Sequence, residues 1–135
     1  MYSNTILIAD TDAACRARVR PYLEGRGYTV IEAADGDTAV AVATRSEVGL
    51  VITELYLATA EEPCLVRALR ATAGLRQTKV LVYTTHAGRE HRLWAMRSGA
   101  DMYRVKSSSP ERLRDVVARL LMVYTSEPRT SQILA

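Results

Sequence analysis

No apolar run in this chain of 135 residues approaches the length of a membrane span, and no basic segment followed by an apolar stretch opens it. Those absences lead to the expectation of a cytoplasmic protein without a membrane partner. Cysteine is scarce. Cys15 and Cys64 fall on separate predicted helices with no CxxC and no His/Cys spacing, so zinc is not expected and two reduced thiols are. A block of one charge is missing too: 16 Arg and two Lys meet 15 acids, the net charge is +3, and the arginines are scattered among acids. With no basic stripe and no aromatic interleaving, direct nucleic-acid binding is not expected. Repeats and low-complexity tracts are absent, and nothing resembles a Ser/His/Asp or Cys/His catalytic set. His86 and His91 read as a loop residue and a helix residue. A domain that binds, and is not an enzyme, is the expectation.

What is there is a globular balance, 48% hydrophobic and 24% charged, in a chain of a length that supports one core. Gly49 to Tyr56 organises it. Leu50 to Thr53 is apolar or β-branched without alternation, which reads as a strand buried on both faces, and Glu54 stands at its end. An acid there lands in the crevice at the carboxyl edge of a parallel sheet.

Around this strand the pattern alternates. Strands are predicted at Asn4 to Ala9, Tyr28 to Ala33, Lys79 to Thr84 and Met102 to Val105. Asp12 caps a helix over Ala13 to Arg26, with Cys15, Val19, Tyr22 and Leu23 on one face, a kink at Pro21, and Gly25 and Gly27 ending it. The turn Asp35-Gly36-Asp37 caps a helix from Thr38 to Ser46 with a weak stripe, Val40, Ala41, Ala43 and Thr44. A helix from Glu62 or Pro63 to Ala73 faces Leu65, Val66 and Leu69 inwards, and one from Gly88 to Ser98 sets Leu93, Met96 and Ala100 on one side. Ser109 as N-cap and Pro110 at the first helical position start the last helix. Its residues Leu113, Val116, Val117, Leu120 and Leu121 form the clearest stripe. Strict alternation predicts an α/β fold with helices on both faces of a parallel sheet. Residues 1–124 are expected to form the domain and residues 125–135 a linker or disordered tail.

The strands deliver polar residues to one edge: Asp10, Glu54, Thr84 with Thr85, and Lys106. That set, with Ile6 to Asp10, Gly27-Tyr28 to Asp35-Gly36, and Gly99-Ala100-Asp101 to Lys106, resembles the receiver domain of bacterial response regulators (CheY-like) over Asn4 to about Tyr124. The resemblance implies a flavodoxin-like (βα)5 doubly wound single domain with strand order 2-1-3-4-5. It implies a pocket in which acids bind Mg²⁺ and one accepts a phosphoryl group. Thr84 matches the threonine that bonds phosphoryl oxygens, Tyr103 the aromatic whose position follows it, and Lys106 the lysine that pairs with the phosphorylated acid.

The departures are specific. Asp10 and Thr11 stand where the family has two adjacent acids, and Asp12 is one place too far to replace the second. Glu54 stands at the phosphoacceptor Asp, longer by about 1.5 Å, one C–C bond. Lys106-Ser107 replaces Lys-Pro, so a trans bond is expected, and Glu61 and Glu62 are expected to repel a phosphodonor. No cofactor is expected; Mg²⁺ binding is expected to be weakened, with Asp10 and Glu54 as its ligands if it binds. The expectation is a pseudo-receiver in which Glu54 mimics or bypasses the active state. Its partner would be a protein of a bacterial signalling pathway, a histidine kinase or a fused or downstream effector. Arg92, Trp94, Arg104 and Arg119 are interface candidates on the face of the fourth helix, fifth strand and fifth helix, through which a homodimer could form. Two other readings stand beside it. One is an ordinary receiver phosphorylated by a histidine kinase with Asp10, Asp12 and Glu54 on Mg²⁺. The other is a flavodoxin-like nucleotide or small-molecule binder, disfavoured by the negative charge of Asp10-Thr11-Asp12 in the first βα loop.

Overall fold

The computed structural model describes residues 3–107 and 109–121. The strands are β1 (Thr5–Ala9), β2 (Thr29–Ala33), β3 (Leu50–Thr53), β4 (Lys79–Thr84) and β5 (Met102–Val105). Between them run α1 (Ala13–Glu24), α2 (Gly36–Arg45), α3 (Leu65–Ala71) and α4 (Arg89–Ser98). A fifth helix, α5, occupies residues 112–121. All pairings are parallel, in the order β2-β1-β3-β4-β5, as expected. Among the described residues no helix is long and apolar enough to cross a membrane. The linker or tail expected at residues 125–135 lies outside the described residues.

Strand periodicity splits the core. Leu7, Ala9, Val51, Val80 and Val82 point to one face and pack under α2, α3 and α4. Ile6, Ile8, Leu50, Ile52, Leu81 and Tyr83 point to the other, under α1 and α5. β3 is buried along its whole length, as its unbroken apolar run requires. The α5 stripe is buried at all five positions, and both cysteines are buried and free.

Several local expectations are corrected. α1 stops at Glu24; Gly25 keeps a right-handed conformation, and the left-handed residue after the helix is Gly27, at φ 91°. Pro21 lies in the last turn, where its missing N–H is one lost bond and its carbonyl still accepts from the Gly25 amide at 2.9 Å. α2 begins at Gly36 and buries Gly36, Ala39, Val42 and Ala43, while Ala41 and Thr44 are exposed. A side chain at position 36 would meet the Ala58 carbonyl oxygen at 2.3 Å, so this contact between α2 and the loop after β3 requires glycine. α3 is shorter than expected at both ends, and Cys64 is its N-cap. Thr59 takes up the preceding residues in a turn, its Oγ1 accepting from the amides of Glu61 and Glu62, so Pro63 stays outside the helix.

α4 faces the other way from the expected stripe. Leu93 and Met96 are 40% and 41% exposed, whereas Ala95 is buried and Trp94 packs against the core. Leu93 and Met96 lie on the outer face of α4, and the inner position is taken by alanine. The last helix starts at 112 rather than at Pro110. The Leu113 and Arg114 amides bond Pro110 and Glu111 carbonyls three residues back, a tighter turn, and the Ser109 hydroxyl donates to Glu111 instead of capping. The Lys106–Ser107 bond is trans; among the described residues there is no cis peptide.

Candidate functional site at the carboxyl edge of the sheet

Ladder bonds bring the edge residues together. The Asp10 amide donates to Ala33 at 3.0 Å, the Glu54 amide to Ala9 at 3.0 Å, and the Lys106 amide to Thr84 at 2.7 Å. Side chains leaving the ends of β1, β3, β4 and β5 therefore converge over the middle of the sheet, where the strand order reverses direction around β1.

At the centre is an ammonium group. Lys106 Nζ lies 2.8 Å from Asp10 Oδ2 and 3.1 Å from Glu54 Oε1, with the lysine and both acids largely shielded from water. Burial alone favours the neutral amine, but the hydrogen bonds to Asp10 and Glu54 outweigh it and raise the Lys106 pKa above the usual lysine value. The second Glu54 oxygen, Oε2, accepts from the Leu55 amide at 2.6 Å and from the Thr84 hydroxyl. That hydroxyl also accepts weakly from the His86 amide at 3.4 Å. Glu54 is thus fixed at both oxygens, and Thr84 is drawn to it. Asp10 Oδ1 accepts from the Asp12 amide at 2.9 Å. Asp12 is the α1 cap, its Oδ1 accepting from Ala14 at 3.0 Å and Cys15 at 3.3 Å, and Thr11 is exposed beside it.

This donor set does not fit Mg²⁺. The ion demands near-octahedral oxygen geometry and is usually held by one or two carboxylates together with waters and substrate oxygens. Here both Asp10 oxygens are engaged, the adjacent position is a threonine, and a cation already sits between Asp10 and Glu54. Among the described residues no group of three or more metal-ligating side chains is gathered.

Tyr103 is buried, and its hydroxyl donates to the His86 carbonyl at 2.6 Å. Burial raises the Tyr103 pKa, so the phenol stays protonated. Arg92 lies over the Tyr103 ring at 5.0 Å, and Arg104 donates to the Tyr103 carbonyl at 2.8 Å, so both are tied to β5. Arg119 is exposed on α5. Trp94 is the exception among the interface candidates: it turns from the expected face towards Tyr56, at 5.3 Å between rings. Glu61 and Glu62 line a groove beside α2 and α3 and form no bond to Glu54.

Missing from the sequence reading is an aromatic cluster over the site. Tyr56 bonds His91 Nδ1 at 2.5 Å and meets the His86 ring edge-on at 5.0 Å, and the two imidazoles lie 4.6 Å apart. Tyr56 and His86 each come two residues after an edge residue, Glu54 and Thr84, which places them on adjacent loops. That spacing was the available signal.

Comparison with known proteins agrees with this geometry. Residues 6–118 match the response regulator receiver domain family. The chain is 29% identical over 126 residues to the transcriptional regulatory protein ResD of Bacillus subtilis, covering 93% of this chain and 50% of ResD. It is 31% identical over 118 residues to the two-component response regulator PprB of Pseudomonas aeruginosa, covering 86% and 43%. The chain therefore spans about half the length of these curated relatives. Among solved structures it is similar to the chemotaxis response regulator CheY4 of Vibrio cholerae, with TM-score 0.78 and 27% identity over 90% of this chain and 100% of that one. It also shares the fold of NtrX from Brucella abortus, with TM-score 0.86 and 23% identity, covering 98% of this chain and 30% of NtrX. With the sheet order, the convergent Asp10, Thr84 and Lys106, and a family match over most of its length, the chain belongs to the response regulator receiver domains of two-component signalling.

Proposed function

We propose that this receiver acts as a protein-interaction module that does not take a phosphoryl group, with Glu54 supplying a permanent charge in its place. One observation carries this: the Glu54 carboxylate holds both Thr84 and Lys106, the two residues that match the family's phosphoryl-binding pair. Buried Tyr103, the matching aromatic, is linked to the engaged threonine through His86, whose carbonyl accepts from the Tyr103 hydroxyl and whose amide donates to Thr84. Glu54 contributes one negative charge where an aspartyl phosphate would carry about −1.5 to −2. The held state is accordingly a weaker version of the phosphorylated one, and a partner shifts it further. A coupling of about 1–3 kcal/mol is enough.

The partner proposed is a cytoplasmic signalling protein: a histidine kinase, a downstream effector, or an effector domain of a longer chain, as relatives named as transcriptional regulators suggest. A homodimer through α4, β5 and α5 is the alternative assembly, with Arg92, Arg104 and Arg119 on that face.

Incubating the protein with acetyl phosphate and Mg²⁺, followed by intact-mass measurement, tests the reading. No phosphoryl adduct is expected on the protein or on Glu54→Gln. A phosphoryl adduct mapped to Glu54 would make this an ordinary phosphorylatable receiver instead. The Glu54→Asp variant asks the complementary question. A one-carbon-shorter acid shortens the reach to Lys106 but leaves Thr11 in the metal pocket, so a phosphoryl adduct that accumulates only slowly is the expected outcome.

A further inference from the structure

Between α3 and α4, away from the Glu54 site, an open groove of about 490 Å³ is lined by Glu62, Arg67, Arg70, Trp94, Arg97 and Ser98. Its charge is unbalanced. Arg70 is spent on structure, bonded to the carbonyls of Gly99, Arg76 and Thr78 and to Asp101. Among the described residues Arg67 pairs only with Glu62, at 3.8 Å and half exposed, and Arg97 is exposed with no ion pair. Two arginines thus flank a half-buried tryptophan. These are the residue types that dominate binding energy at protein interfaces, and clustered arginines are a recurring mode of acidic-motif recognition. The groove is lined by charged and polar side chains around a single ring, which suits a chain segment better than an enclosed small molecule.

We infer that the α3–α4 groove docks an acidic, aromatic-bearing segment of a partner protein, with carboxylates on Arg67 and Arg97 and a ring against Trp94. Glu62 is the one group that opposes it, and an incoming carboxylate displaces its long contact with Arg67. The position gives the groove a route to the edge of the sheet. Trp94 contacts Tyr56, and Tyr56 bonds His91 and stands two residues after Glu54. The inference rests on the domain working by protein binding, but not on Glu54 refusing a phosphoryl group.

Trp94 is the only tryptophan in the sequence, so its emission reports on the groove. The full chain is titrated with a short synthetic peptide in which glutamates flank one phenylalanine. A saturable change in emission is expected, with affinity falling about tenfold in each of Arg67→Glu and Arg97→Glu, equivalent to about 1.4 kcal/mol. Arg26→Glu, on the exposed turn after α1, is expected to bind as the parent does. Circular dichroism and thermal unfolding of each variant confirm that it folds. Absence of a saturable change overturns the inference, as does equal weakening by Arg26→Glu, which would mean general charge attraction. Equal binding of the glutamine-substituted peptide overturns it as well. So does tighter binding of inorganic tripolyphosphate, which would make this a small-anion site. A phosphoryl adduct on Glu54 with intact peptide binding would remove only the reading of the preceding subsection. The reverse pair of results would remove only this one.

Discussion

Lys106 carries the site because it serves two carboxylates at once. Replacing it with methionine keeps much of the volume but leaves Asp10, only 4% exposed, facing Glu54 with no cation between them. Breaking a buried ion pair by removing one partner costs about 3–5 kcal/mol. Lys106→Met is therefore expected to lose about 3 kcal/mol in urea denaturation, with partial recovery in the double variant Lys106→Met, Glu54→Gln. A loss of under about 1 kcal/mol, the range of an exposed pair, would mean that the ammonium is not held as described. The residue identities here were legible in the sequence, because Asp10, Glu54, Thr84 and Lys106 each follow a recognisable strand. Their engagement was only half legible. That Glu54 reaches Lys106 follows from its length, but Tyr56 meeting His91 joins residues 35 apart in sequence, and no local pattern announces it.

Among the elements, the strands were easier to read than the helices. β3 begins and ends where its unbroken apolar or β-branched run does, since a strand covered on both faces tolerates little else, and β4 and β5 keep the bounds expected of them. Helix faces fail where small residues do the packing. Ala95 is fully buried while Leu93 and Met96 look outwards, so a stripe of large side chains misleads. Caps were mixed: Asp12 and Asp35 cap as read, and Ser109 does not. Asp35 offers a test at this scale. Its Oδ1 accepts from the Thr38 amide at 2.7 Å and its Oδ2 from the Thr38 hydroxyl, and these bonds, the amide first, hold its carboxyl below the usual carboxylate range. A lowered pKa in the folded state means that the stabilisation is present above the ordinary carboxylate value and is lost as pH falls through the lowered one. Asp35→Ala is expected to melt below the parent at neutral pH, with the difference shrinking in acid. A difference that stays constant with pH would show that the cap charge contributes nothing.

The described residues form one sheet with two half-cores, and β1 supplies both. Leu7 lies under α2, α3 and α4, and its neighbour Ile8 lies under α1 and α5. Cutting either to alanine is expected to cost about 3 kcal/mol, within the range for buried aliphatic truncation. Trp94 fluorescence reports only the α4 side, whereas far-ultraviolet circular dichroism reports all the helices. Because the strands are common to both halves, the two probes are expected to give coincident transitions in both variants. Separated transitions in Ile8→Ala would mean that the halves unfold independently.

One geometric detail has a mechanical consequence. Among the described strands β5 is the edge, four residues long and paired with β4, yet the lysine that follows it is anchored to acids at the tips of β1 and β3. Its side chain works as a tie thrown past β4 to the tip of β3 and past β3 to that of β1, strands spaced about 4.8 Å apart. The raised lysine pKa means that the tie is at full strength below the ordinary lysine value and slackens only as alkali strips its proton. Up to that point the outermost ribbon of the fold is prevented from peeling, and the ledge it makes for α4 and α5 stays level.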